Sequence, residues 1–269
     1  METRPLPSGT AGQVSAGLAY PLRGLGFISR HGLWGSAAIP IIVNAALFAA
    51  LVAATVWLVV PRLEALDQYL SPATDAWAIT KGLLSALSWL IWIAAIILLL
   101  TVDSIVLLMI GQAVASPFLD LLSEKVEAIV LGKPAPSFSM GRAVRAVLVA
   151  IADLVWALVF WALVNLGLLL LNLLPAVGSA VAAALSFCFT ALLLTQEFVG
   201  LALVRQFVSY SGRFGVVWRN KWLSLGFGST TMLLLLVPVL NLMLLPLAAA
   251  GGTLLYCDLK AAGRGETRR

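Results

Sequence analysis

Charge is what this sequence has least of. Asp, Glu, Lys and Arg make up 11% of its 269 residues, where a typical soluble domain carries about 25%. That is too little to coat a globule of this size, which argues against a soluble enzyme. The pI near 9.6 does not rescue a nucleic-acid reading, because the basic residues lie in short clusters between apolar runs, the pattern of membrane orientation signals. Histidine is nearly absent: the single His31 rules out a His-rich metal site and leaves a Ser-His-Asp triad without support. Cys188 and Cys257 sit inside apolar runs, form no CxxC pair and are read as small hydrophobic residues. No GxxxxGK(S/T) follows Gly24-Leu25-Gly26, so direct ATP-driven pumping has no phosphate loop to use. Gly226-Phe227-Gly228-Ser229 lacks the GxSxG order of a nucleophile elbow. Residues 1–20 have no apolar h-region. A cleaved signal peptide is therefore not expected, and the first apolar helix serves as its own signal. No cofactor is implied.

What the sequence has is apolar residues, 61% of the chain, with a mean hydropathy of +1.03. That excess needs lipid as its solvent. Residues 31–61 contain no charged side chain, and 36–60 are long enough to cross about 30 Å of hydrocarbon at about 1.5 Å per residue. Residues 82–102 form a second such run, whose helix is expected to continue to Ala115. Residues 153–197 carry charge only at their ends and divide at Asn172-Leu173-Leu174-Pro175-Ala176-Val177-Gly178. Residues 222–257 divide at Val237-Pro238-Val239-Leu240-Asn241, with a further proline at Pro246. Proline and glycine break helices, so both runs read as helical hairpins. The arm 222–237 is only about 24 Å of helix, short of the hydrocarbon thickness, which favours a re-entrant second hairpin. In the first hairpin, 154–174 is long enough to span, so either form is open.

Lys and Arg set the orientation. With the N-terminus inside, fifteen fall on inside segments, and only Arg62 and Lys81 lie outside. Both termini are expected in the cytoplasm. The chain divides into a cytoplasmic segment 1–30, one membrane domain 31–260 and a basic tail 261–269. Trp34, Trp57, Trp77, Trp218 and Trp222 lie near span ends, where aromatic belts form.

The stretch from Ala115 to Glu127 reads as an amphipathic helix at the cytoplasmic surface. Ser116 suits an N-cap and Pro117 a first helical position. Phe118, Leu121, Leu122 and Ile129 share one face, with Asp120, Glu124 and Glu127 largely opposite. The block Pro117-Phe118-x-Asp120-x-Leu122-x-Glu124-Lys125-Val126-Glu127 resembles the signature of the CysZ sulfate permeases and the related etoposide-induced 2.4 proteins. The resemblance extends to Ile39-Pro40-Ile41-Ile42-Val43-Asn44, to Leu174-Pro175-Ala176-Val177-Gly178, and to the run from Pro238 through Asn241 to Pro246. It implies an all-α integral membrane fold with two long transmembrane helices and two hairpins that partly penetrate the bilayer. It further implies a multi-pass protein of the plasma (inner) membrane, assembly as a homo-oligomer, and sulfate uptake for cysteine synthesis. Sulfate-binding relatives carry a Gly-Leu-Arg motif at the start of the first long helix. Here Gly32 and Leu33 match it, and Trp34 stands in place of the arginine.

A helix start offers free N–H groups to an oxyanion, so Arg30, Gly32, Leu33 and Trp34 are the candidate anion-binding residues. Asp103, Asp153 and Glu197 lie within or at the ends of apolar runs, where a charge costs roughly 2.5–3.5 kcal/mol at the bilayer centre. Each is either a pathway or proton-coupling group, or a helix-end residue paired with Arg142, Arg145 or Arg205. Nothing around Asp103 and Asp153 supports an aspartyl dyad. Asn44, Gln112, Asn165 and Gln196 are candidates for hydrogen bonds between helices. The expected function is a permease or channel-like protein for a small oxyanion, with sulfate and the bilayer as partners and no enzyme activity. The alternative is a non-transporting membrane scaffold.

Overall fold

Long apolar stretches without internal breakers can satisfy their backbone groups in lipid only as helices or closed barrels, and helices form here. The computed structural model describes residues 3–70, 77–132, 140–174, 177–235 and 238–265, with some side chains within the helices, including all of 107–115 and 140–155, outside that description. Among the described residues there are eight α-helices and no strand: α1 Thr10–Arg30, α2 Trp34–Leu70, α3 Ala78–Leu131, α4 Met140–Asn172, α5 Gly178–Val204, α6 Tyr210–Arg219, α7 Lys221–Leu235 and α8 Pro238–Ala261. Among the described residues, three stretches are long and apolar enough to cross a membrane: Trp34–Ala65, Ala78–Asp103 and Gly178–Val204. The break expected at 172–178 falls where α4 gives way to α5; Val237, where the second run was expected to divide, lies outside the described residues.

Two compact units emerge, Ile39–Pro117 and the combination of Met1–Ala38 with Phe118–Arg269. The first consists of most of α2 and the first part of α3. Its large apolar side chains face outward, with Trp57 78% and Trp89 70% exposed. Its polar contact joins the two helices: Thr55 Oγ1 donates to both carboxylate oxygens of Asp103, at 2.9 and 3.0 Å.

The second unit is held by close backbone approach. α1 lies on α7 and α8, and α5 packs on α4, α7 and α8. Gly17 faces Gly226, and a Cβ on either would sit 2.2 Å from a carbonyl oxygen of the other helix. Small residues that let backbones touch are the usual device for helix association in lipid. Residues 251–259 of α8 are buried without interruption, the mark of a helix surrounded on every side. α1 ends at Gly32, whose φ of +64° lets the Leu33 N–H turn back to the Ile28 carbonyl at 3.0 Å, as in a Schellman end.

Two expectations need correction. Ser116 does not cap a new helix. α3 runs through Pro117 without a break from Ala78 to Leu131. A proline removes one backbone hydrogen bond, and packing of the following turns outweighs that loss. The buried face of those turns is Leu119, Leu122, Ser123, Val126 and Val130, while Leu121 and Ile129 are exposed. The expected stripe was thus rotated by about a quarter turn, because α3 buries a face that includes a serine. Thr10–Arg30, read from the sequence only as part of a cytoplasmic segment, folds as helix α1, with Pro21 buried inside it.

Candidate functional site

The turn between α1 and α2 places the candidate anion-binding residues together. Arg30 is the last residue of α1, Gly32 is the left-handed position, and Trp34 opens α2 at 36% exposure. The amides of Ser36 and Ala37 both bond to the Leu33 carbonyl. The N–H groups before them have no acceptor within the helix, as at any helix start. The His31 ring stacks on Phe27, with centroids 4.1 Å apart, and so turns away from a role of its own at the helix start.

Arg30 does not stand alone. It lines a cavity of about 540 Å³ together with Arg4 and Arg23. Gly26 is part of the wall, and a Cβ there would meet nothing within 4 Å. Behind the wall lies Asp258, only 2% exposed. It accepts from Tyr20 Oη at 2.7 Å, from the Arg4 backbone N–H at 2.8 Å and from Arg23 Nη1 at 3.1 Å. The Arg23 guanidinium also lies 4.4 Å over the Tyr20 ring. Burial, and next the neighbouring Asp258 carboxylate, push the Tyr20 hydroxyl well above its ordinary pKa, so it remains a donor. One carboxylate therefore fixes two of the three arginines, and the cavity keeps a surplus of positive charge. Arg4, Arg23, Tyr20 and Asp258 escape a sequence reading because Asp258 lies 235 positions from Arg23. The available signal was that Asp258 is the first acid after Glu197.

The block from Pro117 to Glu127 has a different role. Arg205, just past α5, donates to Asp120 Oδ1 and Glu127 Oε2, both at 2.7 Å, and to Ser123 Oγ at 3.1 Å. Thr253 of α8 donates to the same Ser123 oxygen at 2.7 Å. Burial lowers the Arg205 pKa, but the bonds to Glu127 and Asp120 outweigh it and the net direction is up. Lys125 Nζ donates to Ser36 Oγ at 2.7 Å, tying α3 to the first turn of α2. Leu122 is fully buried, Phe118 and Glu124 are half-buried, and Pro117 is exposed. These residues clamp helices together; they do not line the arginine cavity.

Of the acids, Asp103 is half-buried and bonded to Thr55, and Glu197 is exposed on α5. The Asp153 side chain lies outside the described residues, as do those of Asn44, Gln112, Arg142 and Arg145. Arg205, named as a possible partner for Asp153 or Glu197, is committed to Asp120 and Glu127, which are near it in space because α3 extends past Pro117. Asn165 donates to Trp161 of its own helix at 2.8 Å instead of bridging helices. Gln196 is buried, and its Oε1 has no hydrogen-bond partner among the described residues.

Comparison with known proteins covers nearly the same residues. Residues 20–246 match the family model described as Sulfate transporter CysZ/Etoposide-induced protein 2.4. Sulfate transporter CysZ of Pectobacterium atrosepticum is 29% identical over 257 residues, covering 95% of this chain and 89% of the relative. Sulfate transporter CysZ of Pseudomonas fluorescens is 26% identical, covering 95% and 98%. Sulfate transporter CysZ of Pseudomonas syringae pv. tomato is 29% identical over 247 residues, covering 91% and 93%.

Proposed function

We propose that this chain, which belongs to the sulfate transporter CysZ/etoposide-induced protein 2.4 family, moves sulfate or a closely similar oxyanion across a membrane. The observation that carries this reading is the cavity along α1, lined by Arg4, Arg23 and Arg30, with the Asp258 carboxylate bonded to Arg23. Guanidinium groups suit a tetrahedral dianion, because each presents planar paired donors. Arg30, next to the motif turn Gly32-Leu33-Trp34, supplies the charge that Trp34 does not. The relatives are named as transporters, which favours a transport role over catalysis.

The pathway groups in this reading are Asp103, held by Thr55, with Asp153 and Glu197. The orientation read from Lys and Arg puts both termini in the cytoplasm of a multi-pass inner-membrane protein. The second hairpin, α7 and α8, is re-entrant, and the protein works as a homo-oligomer. Labelled sulfate uptake into proteoliposomes, with a non-transporting membrane protein as control, tests the function. Uptake at the control level rejects transport. Arg30→Ala weakens sulfate binding in detergent by about 1.5–3 kcal/mol, the scale of a charged hydrogen bond, and Trp34→Arg strengthens it. No change with either substitution, at unaltered expression and oligomer size, moves the site elsewhere. Trp34 at the motif's arginine position is the one observation for a second reading, a membrane scaffold that keeps the fold without transport.

A further inference from the structure

The arginine cavity is larger than one small oxyanion needs. Its volume of about 540 Å³ is room for roughly eighteen water molecules at about 30 Å³ each, whereas a sulfate has only five heavy atoms. The way the arginines are held divides that space. Arg4 and Arg23 belong together, because one carboxylate takes both. Asp258 Oδ1 accepts from the Arg4 backbone N–H at 2.8 Å, and Oδ2 accepts from Arg23 Nη1 at 3.1 Å. The Arg4 side chain, carried on this anchored backbone, lines the cavity with Arg23.

Arg30 stands apart from that pair. Seven residues separate it from Arg23 on α1, which is about 10.5 Å along the axis and within about 20° of the same face. Arg23 does not reach forward across the gap. Its guanidinium lies 4.4 Å from the centroid of the Tyr20 ring, one turn earlier, following the lean of helical side chains toward the N-terminus. Charged hydrogen bonds hold their donors about 2.7–2.9 Å from an anion's oxygens, so one small oxyanion cannot bridge the two arginines. Between them on that face lies Gly26, three residues after Arg23 and four before Arg30. A Cβ there would meet nothing within 4 Å, so the wall between the arginines is open. Among the described residues, no hydrogen bond or ion pair takes up the guanidinium of Arg4 or Arg30.

We infer that the cavity has two oxyanion stations that fill together, one at Arg30 and one at Arg4 with Arg23, the second positioned by Asp258. This rests on the reading of the cavity as an anion site and adds a second site to it. Two dianions about 10 Å apart repel one another, so the second binds on the order of tenfold more weakly than the first. That repulsion has a use: neighbouring weak sites let an arriving ion displace the one ahead of it, so that an ion leaves as readily as it enters.

The test uses the full chain in mild detergent and equilibrium dialysis against labelled sulfate, with chloride in excess to screen general attraction. The unmodified chain retains two sulfates per chain at saturation, taken up in two steps. Arg30→Gln retains one. Arg4→Gln also retains one, and because Asp258 is held by the Arg4 backbone and not by its side chain, this variant keeps the anchor of the fold. The double variant retains none. One sulfate on the unmodified chain overturns the second station and leaves the anion site standing. Two sulfates that ignore Arg4→Gln overturn it as well, since the second anion then sits elsewhere. No sulfate on the unmodified chain rejects the cavity as an anion site, and the two stations with it.

Discussion

The two compact units of this chain solve the same problem in opposite ways. In Ile39–Pro117, apolar side chains face outward and Thr55 bonds to Asp103 across the two helices. In the unit formed by Met1–Ala38 and Phe118–Arg269, glycine seams, the buried stretch 246–259 of α8 and two charged networks make the core. The first has no core of its own to gain from leaving water, and its helices are stabilised by the bilayer. The second resembles a soluble core in which buried polar groups are matched one against another. The difference shows that high hydropathy alone does not say what an apolar residue packs against.

Five substitutions sharpen that contrast, and the first should have the largest effect. Arg205→Ala leaves Asp120 and Glu127 without their cation. It should destabilise the protein by about 3 kcal/mol, at the lower end for a broken buried pair because Asp120 is partly exposed. Unfolding in a graded denaturing detergent measures it, and a loss below a third of that value breaks the view that this network holds the unit. Gly226→Leu drives a side chain into the Val14 carbonyl and should cost about 2 kcal/mol by overpacking. Gly82→Ala, in α3 of the outward-facing unit, meets open space and should be neutral or slightly stabilising. Similar thermal midpoints for the two glycine variants would erase the distinction between the units.

Tyr20→Phe removes a donor from Asp258 and should cost about 1.5 kcal/mol at neutral pH. It also predicts a pH effect of known sign. The Tyr20 pKa is raised by folding, so the unfolded chain loses its proton first, from about pH 10. The contribution is complete below that pH and declines as the pH rises beyond it. Tyr20→Phe should flatten this alkaline decline, and an unchanged slope would assign it to another group. Thr55→Val should cost less than Tyr20→Phe, about 0.6 kcal/mol, the mean for hydrogen bonds between membrane helices. A loss several times larger, read from unfolding of the purified chain, would mean that Asp103 sits in the outward-facing unit as an uncompensated charge.

The break between α4 and α5 and the long spans were legible because proline, glycine and uninterrupted apolar runs act locally. α1 was not legible. Gly12, Gly17, Gly24, Gly26 and Pro21 all lower its intrinsic propensity, and two of those glycines are what allow it to lie on α7 and α8. Pro117 misled for a similar reason: a proline that marks a helix start in isolation is carried inside α3 when the next turns pack well. At the candidate site, Arg30 and the Gly32-Leu33-Trp34 turn could be read from residues within one short stretch, 30–34. Arg4 and Arg23 could not, since their placement depends on a carboxylate near the other end of the chain.

That long reach has a consequence for biosynthesis. A ribosome adds roughly 5–20 residues per second, so α1 is complete on the order of ten seconds or more before Asp258 emerges. During that interval the cations of α1 lack their carboxylate, and its glycine seams lack the backbones of α7 and α8. The nascent chain therefore presents an unfinished N-terminal helix to chaperones and proteases until its final helix arrives. A chain released early, without α8, carries that helix exposed as a mark of incompleteness.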